Sequence, residues 1–146
     1  MKKILFAASE AVPFMKTGGL ADVTGSLPKY FDKKNYDVRV ILPKYVCMEE
    51  RWKGQLHFLC HFYVNLSWRK QYVGIFETTY DGITYYLVDN EFYFAGNAPY
   101  NNIYEDVEKF AFFSKAVLEA LPYLDFCPDI IHCHDWQTGL LPVFLR

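Results

Sequence analysis

Residues 3–23 read Lys3-Ile4-Leu5-Phe6-Ala7-Ala8-Ser9-Glu10-Ala11-Val12-Pro13-Phe14-Met15-Lys16-Thr17-Gly18-Gly19-Leu20-Ala21-Asp22-Val23. The first seven residues are a short apolar run of the kind that is buried on both faces of a parallel sheet. A loop carrying Pro13 and the Gly18-Gly19 pair follows. Leu20, Val23, Leu27, Tyr30 and Phe31 then recur at helical spacing, with Pro28 predicted to kink or break the helix. Asp37–Leu42 reads as a second strand closed by Pro43. Strand, loop, helix, strand is a βαβ opening and predicts a parallel sheet covered by helices.

Outward from that opening the pattern changes. From Leu56 to Trp68 the even positions are Leu56, Phe58, Cys60, Phe62, Val64, Leu66 and Trp68, a period of two that predicts a half-buried strand. Tyr72–Tyr80 and Ile83–Val88 are further strands joined at Asp81-Gly82, a hairpin signal. This middle section is expected to be an antiparallel extension of the sheet. Val107, Phe110, Ala111, Ser114, Val117, Leu118 and Leu121 then mark one face of a long helix that Pro122 closes. Asp129–Cys133 is a last short strand, and the chain turns helical again from Trp136. It stops at Arg146 inside an apolar helical run, which reads as a piece of something longer.

The chain has 146 residues, 52% of them hydrophobic and 19% aromatic, enough for one domain with its own core. A net charge of −2 without a basic block gives no sign of a nucleic-acid partner or an acidic membrane surface. No apolar run is long enough to span a bilayer. The Met1-Lys2-Lys3 start imitates a signal peptide, but Glu10 arrives too soon, so a buried strand and a cytoplasmic protein are expected. Cys47, Cys60, Cys127 and Cys133 form no Cys-x-x-Cys pair and are expected to be free, mainly buried thiols.

Three places can carry chemistry. Lys16-Thr17-Gly18-Gly19-Leu20 lies where α/β proteins bind ligands, between a strand end and a helix start. Its glycines admit an anion to the backbone, and Lys16 adds a full charge. It lacks both the Gly-x-Gly-x-x-Gly and the Walker A spacing, and the plain alternative is a glycine turn with a solvated lysine. His132-Cys133-His134-Asp135-Trp136 ends the last strand. Alternation puts His132 and His134 on one face, with Asp135 placed to cap the next helix. A metal site combining these histidines with His57, Cys60 and His61 has poor spacing. Glu105, Asp106, Glu108 and Lys109 open the long helix and match its dipole, while Tyr93 and its aromatic neighbours are either core or a sugar platform.

These motifs together resemble the glycogen and starch synthase family over Met1–Arg146. The carriers are Ser9-Glu10 with Pro13-Phe14, then Lys16 to Val23, Asp89-Asn90 with Tyr93-Phe94, Glu108 to Phe113, and His132 to Leu140. The resemblance implies the N-terminal, acceptor-side half of a GT-B fold: a Rossmann-like parallel sheet with helices on both faces and an antiparallel hairpin extension. It implies transfer of glucose from ADP-glucose to the non-reducing end of an α-1,4-glucan such as glycogen, with retention of configuration and without a metal or cofactor. Lys16 would then contact the donor's phosphates and the Gly18 and Gly19 backbone would cradle them. His134 would hydrogen-bond the glucosyl group, Tyr93 would line the same pocket, and Glu105 would sit near the sugar. Two positions depart from the family pattern: Glu105 where aspartate is usual, and Lys109 where arginine is usual. The C-terminal nucleotide-binding domain is missing, so the fragment alone is expected to be inactive. The competing expectations are a non-catalytic fragment that binds glucan or a protein, and a nicotinamide oxidoreductase, which the missing glycine fingerprint disfavours.

Overall fold

The computed structural model describes residues 1–145. A six-stranded sheet has the order β3-β4-β5-β2-β1-β6, with β1 Lys2–Ala7, β2 Tyr36–Pro43, β3 His57–Leu66, β4 Arg69–Tyr80, β5 Ile83–Asp89 and β6 Ile130–Cys133. β5, β2, β1 and β6 run parallel, while β3 and β4 extend the sheet antiparallel from β5. The helices are α1 Gly19–Ser26, α2 Glu50–Lys53, α3 Ile103–Ala120 and α4 Leu141–Leu145. The α/β sheet with its antiparallel extension is thus the architecture expected from the sequence.

β1 is apolar from Ile4 to Ala7 because that stretch feeds two cores. Leu5 and Ala7 point to one side with Ile41, Tyr86, Val88 and the α3 residues Phe110, Phe112, Phe113 and Val117. Ile4 and Phe6 point to the other, with Val40, Leu42, Tyr85 and Leu87. That second face is closed less by α1 than by Ala11 and Phe14 of the β1–α1 loop, Met48, and Trp52 of α2.

Several expectations need correction. The predicted apolar stripe of the first helix faces outward: Val23, Leu27 and Tyr30 are exposed, and Ala21, Thr24 and Gly25 are buried instead. α1 lies so close to the preceding loop that a Cβ on Gly25 would meet the Val12 side chain at 2.3 Å, so only small residues fit its inner face. The helix does end where Pro28 predicts, giving way to a 3-10 turn over Leu27–Tyr30. In β3 a register shift between Phe58 and Cys60 turns Phe58 outward, while Phe62 and Val64 keep the inner face. Trp68 lies in the turn before β4 and is exposed, and β4 begins at Arg69 rather than Tyr72. The Asp81-Gly82 hairpin is as read, both residues having positive φ (53° and 80°), the combination of a type I′ turn.

α3 is rotated from its expected face. Val107 is exposed, and Asp106 and Lys109 are buried as an i,i+3 ion pair of 3.3 Å. Asp135 does not cap the turn after β6 with its side chain; it has φ 60°, and the next residues form a 3-10 turn over Trp136–Thr138. The cysteines are free as expected, but Cys127 is exposed and the other three are only partly buried.

Candidate functional site

The chain runs from β1 outward through β2 to β5 and returns to add β6 on the opposite side of β1. β6 therefore adds to the side of β1 opposite β2, and such a reversal of strand order leaves a crevice beyond the carboxyl ends of the strands. Ligands of open α/β sheets bind at this switch point. The Lys16–Gly19 loop follows β1, and His134 follows β6. The two strand ends are stitched together, with Ala7 paired to Cys133 and the His134 N–H donating to the Ala7 carbonyl at 3.2 Å.

Within the loop, Gly18 precedes α1 with extended backbone (φ −163°), and no side chain among the described residues caps the helix start. The first-turn N–H groups thus face the crevice with the positive end of the helix dipole. Neither glycine has the left-handed backbone that demands glycine, and a Cβ on either would meet no protein atom within 4 Å. The fold itself leaves the space over Gly18 and Gly19 open, in contrast to Gly25. Lys16 Nζ donates to Asp22 at 2.9 Å, and both side chains are about half exposed. Such a surface pair contributes little and is readily exchanged for a stronger anion.

His134 lies on the same side of the sheet as this loop. Its ring packs on Phe6 (centroids 5.2 Å apart) and on His132 (4.5 Å), and Phe6 belongs to the core on the α1 side. Cys133 points to the α3 side, as alternation requires. Burial first, then the neighbouring His132, holds the His134 pKa below the usual histidine value, so the ring is neutral near pH 7. Its Nε2 is buried and has no hydrogen-bond partner among the described residues. The backbone around it is fixed by Thr138: the His134 N–H donates to Thr138 Oγ1 at 2.8 Å, and that hydroxyl donates back to the His134 carbonyl at 2.9 Å.

Tyr93 and Glu105 are elsewhere. They line a pocket of about 400 Å³ beside the first turns of α3, with Phe92, Tyr104, Glu108 and Lys109. Tyr93 is buried, stacks on Phe112 at 4.6 Å and donates its hydroxyl to Glu108 at 2.8 Å. Glu108 in turn pairs with Arg69. Burial, with Glu108 adding to it, pushes the Tyr93 phenol up to about 12. Glu105 is exposed, and its backbone N–H is capped by the Asn102 side chain at 3.0 Å. The loop after β1 thus carries Lys16, Gly18 and Gly19 and the end of the neighbouring strand carries His134, while Tyr93 and Glu105 line the pocket beside α3. His57 and His61 lie on β3, at the opposite edge of the sheet from His132 and His134 on or beside β6, so these histidines cannot share a metal.

Sequence reasoning missed the polar layer beneath the loop. Glu10 is 2% exposed and its Oε2 accepts from both the Thr17 N–H (3.1 Å) and the Thr17 hydroxyl (2.5 Å). Beside it, Ser9 Oγ and the Tyr100 hydroxyl share a hydrogen bond of 2.6 Å, and the Tyr45 hydroxyl donates to the Ser9 carbonyl at 2.7 Å. Burial, reinforced by Glu10, pushes the Tyr100 phenol up to about 12. The available signal was an acid directly after a fully apolar strand, between Ser9 and Ala11, where only a satisfied carboxylate is tolerated.

Comparison with known proteins agrees with this geometry. A family model described as the starch synthase catalytic domain matches residues 3–146. Glycogen synthases of Lachnoclostridium phytofermentans and Lachnospira eligens are 70% and 64% identical over all 146 residues. The chain spans 30% of the length of each of these relatives. The catalytic domain of starch synthase IV from Arabidopsis thaliana, bound to ADP and acarbose, superposes with a TM-score of 0.84 at 30% identity, over 99% of this chain and 30% of that one.

Proposed function

This chain belongs to the starch synthase catalytic domain family, and on that premise we propose that it forms the N-terminal, acceptor-side part of a glycogen synthase. The reaction would move glucose from ADP-glucose to the non-reducing end of an α-1,4-glucan with retention of configuration. What supports this reading is the reversal of strand order between β1 and β6, with an open glycine pair, an uncapped helix start and Lys16 in the connection after β1 and, after β6, a His134 Nε2 without a partner among the described residues. That set suits a sugar diphosphate: N–H groups and a cation for the phosphates, and a neutral imidazole for a sugar hydroxyl. The roles follow. Lys16 and the Gly18 and Gly19 backbone receive the phosphates, and His134 hydrogen-bonds the glucosyl group.

The pocket of Tyr93 and Glu105 is separate, so their part is assigned to the glucan rather than to the donor. Exposed Phe92 and Tyr104 beside carboxylates are suited to a neutral sugar chain.

Expulsion of ADP needs cationic groups around the departing diphosphate in a closed, dry cleft. One wall does not supply them, so a C-terminal nucleotide-binding domain outside this chain is assigned the rest, and residues 1–146 alone are expected to be inactive. The relatives' greater length supports this division.

The test is Lys16→Ala in the full-length enzyme. Donor use, read as kcat/KM for ADP-glucose, should fall by about 1–3 kcal/mol, the scale of a lost charge-assisted hydrogen bond. An unchanged value would remove Lys16 from the site, and glucan synthesis by purified residues 1–146 would refute the two-walled reading.

A further inference from the structure

We propose that Glu10 is a positioning residue that sets the Lys16–Gly19 loop for the donor's phosphates, an inference that rests on the reading of that loop given above. Glu10 sits at the end of β1 and holds the loop from beneath. One carboxylate oxygen takes both donors of Thr17, the amide at 3.1 Å and the hydroxyl at 2.5 Å. The Glu10 backbone carbonyl accepts from Thr24 Oγ1 at 2.6 Å, on the second turn of α1. A single residue therefore fixes the loop through its side chain and the helix through its main chain.

The consequence is directional. With both Thr17 donors turned to the carboxylate, the loop is anchored at its centre. Lys16 and Gly18, on either side, remain exposed at the crevice. The arrangement is costly, because a buried carboxylate must be fully satisfied, and this one carries negative charge beneath a loop assigned to an anion. A neutral residue could fill the same space. What the carboxylate adds is an acceptor strong enough to hold two donors at once, which keeps the loop in one geometry. The Tyr100 hydroxyl, which shares a hydrogen bond of 2.6 Å with Ser9 Oγ, ties this layer to the loop before α3.

The experiment measures KM for ADP-glucose and for glucan, with kcat, in the full-length enzyme carrying Thr17→Val, Glu10→Ala or Glu10→Gln. Thr17→Val keeps the side-chain volume and the amide but removes the hydroxyl donor. Thr17→Val and Glu10→Ala should each raise the ADP-glucose KM by about tenfold or more, the size of one lost hydrogen bond to a charged group, and leave the glucan KM within about twofold. Glu10→Gln keeps an acceptor oxygen without the charge and should give a donor KM between those of the parent and Glu10→Ala. Donor and glucan KM rising in parallel, or a donor KM for Thr17→Val within about twofold of the parent, overturns the proposal even if Glu10→Ala does not fold. Lys16→Ala run alongside separates the two ideas. If it leaves the donor KM unchanged, the donor reading of the loop fails. If it raises that KM while Thr17→Val does not, only the role of Glu10 fails.

Discussion

The crevice at the ends of β1 and β6 and the pocket beside α3 use similar residue types, a cation, carboxylates and aromatic rings, but they are completed differently. In the α3 pocket the buried groups are largely paired with one another: Tyr93 donates to Glu108, Glu108 pairs with Arg69, and Lys109 bonds the Pro99 carbonyl at 2.8 Å as well as Asp106, although Arg69 Nε has no partner among the described residues. In the crevice the groups nearest the opening are left over. Gly18 and Gly19 face empty space, Lys16 has only an exposed partner, and His134 Nε2 has none among the described residues. Buried polar groups are ordinarily satisfied. Of the crevice groups only His134 Nε2 is both buried and unsatisfied among the described residues, and on the reading proposed above a donor sugar would complete it, over the paired Glu10–Thr17 layer.

This contrast can be broken by substitution. The largest effect is expected at Lys109, which is 3% exposed and holds both Asp106 and the loop carrying Tyr100. Lys109→Ala strands a buried carboxylate and should cost about 3–5 kcal/mol in denaturant unfolding. A near-neutral result would mean that the α3 side is not structural. His134→Ala is next: kcat of the full-length enzyme should drop by about a hundredfold or more, the scale of a lost site hydrogen bond, with unfolding almost unchanged. The reverse pattern, lost stability with retained turnover, would make His134 a core residue. Tyr93→Phe removes one hydroxyl from a completed network and should cost about 1 kcal/mol of stability while sparing the ADP-glucose KM. A raised donor KM there would merge the two regions into one site.

The smallest effect is a pH slope. The His134 pKa is lowered in the folded chain, so below the unfolded value of about 6.5 the unfolded state binds more protons. Its contribution to stability is complete at neutral pH and above, and is lost as pH falls from there through the folded value. Replacing His134 with Asn should flatten that acid limb of the unfolding profile; an unaltered limb would show that another group controls it.

Much of this was legible in the chain, and the misses have physical causes. The parallel core was readable because β1 is an unbroken apolar run from Ile4 to Ala7, and the hairpin because Asp81-Gly82 tolerates positive φ. The outward stripe of α1 was not, since periodicity reports that a face exists but not which neighbour comes close; Gly25 against Val12 decided that small residues face in. Phe58 failed for a similar reason, because one bulge inverts the faces on either side of it. For the site, Lys16, Gly18, Gly19 and His134 were placed together by the switch point that the sequence implied. Tyr93 and Glu105 were grouped with them by resemblance, and the sheet put them on the α3 side.

The sequence by itself determined the local grammar: which segments are strands, and where the glycine loop and the last histidine stand relative to strand ends. These follow from short-range sterics and periodicity, which act between residues close in the chain. Tertiary structure alone decided which polar groups became each other's partners. Glu10 is seven residues from Thr17. Tyr100 is 91 residues from Ser9. Arg69 is 39 from Glu108. Whether such a group ends satisfied or waiting for a ligand depends on how the sheet brings distant segments together, and no local pattern records that.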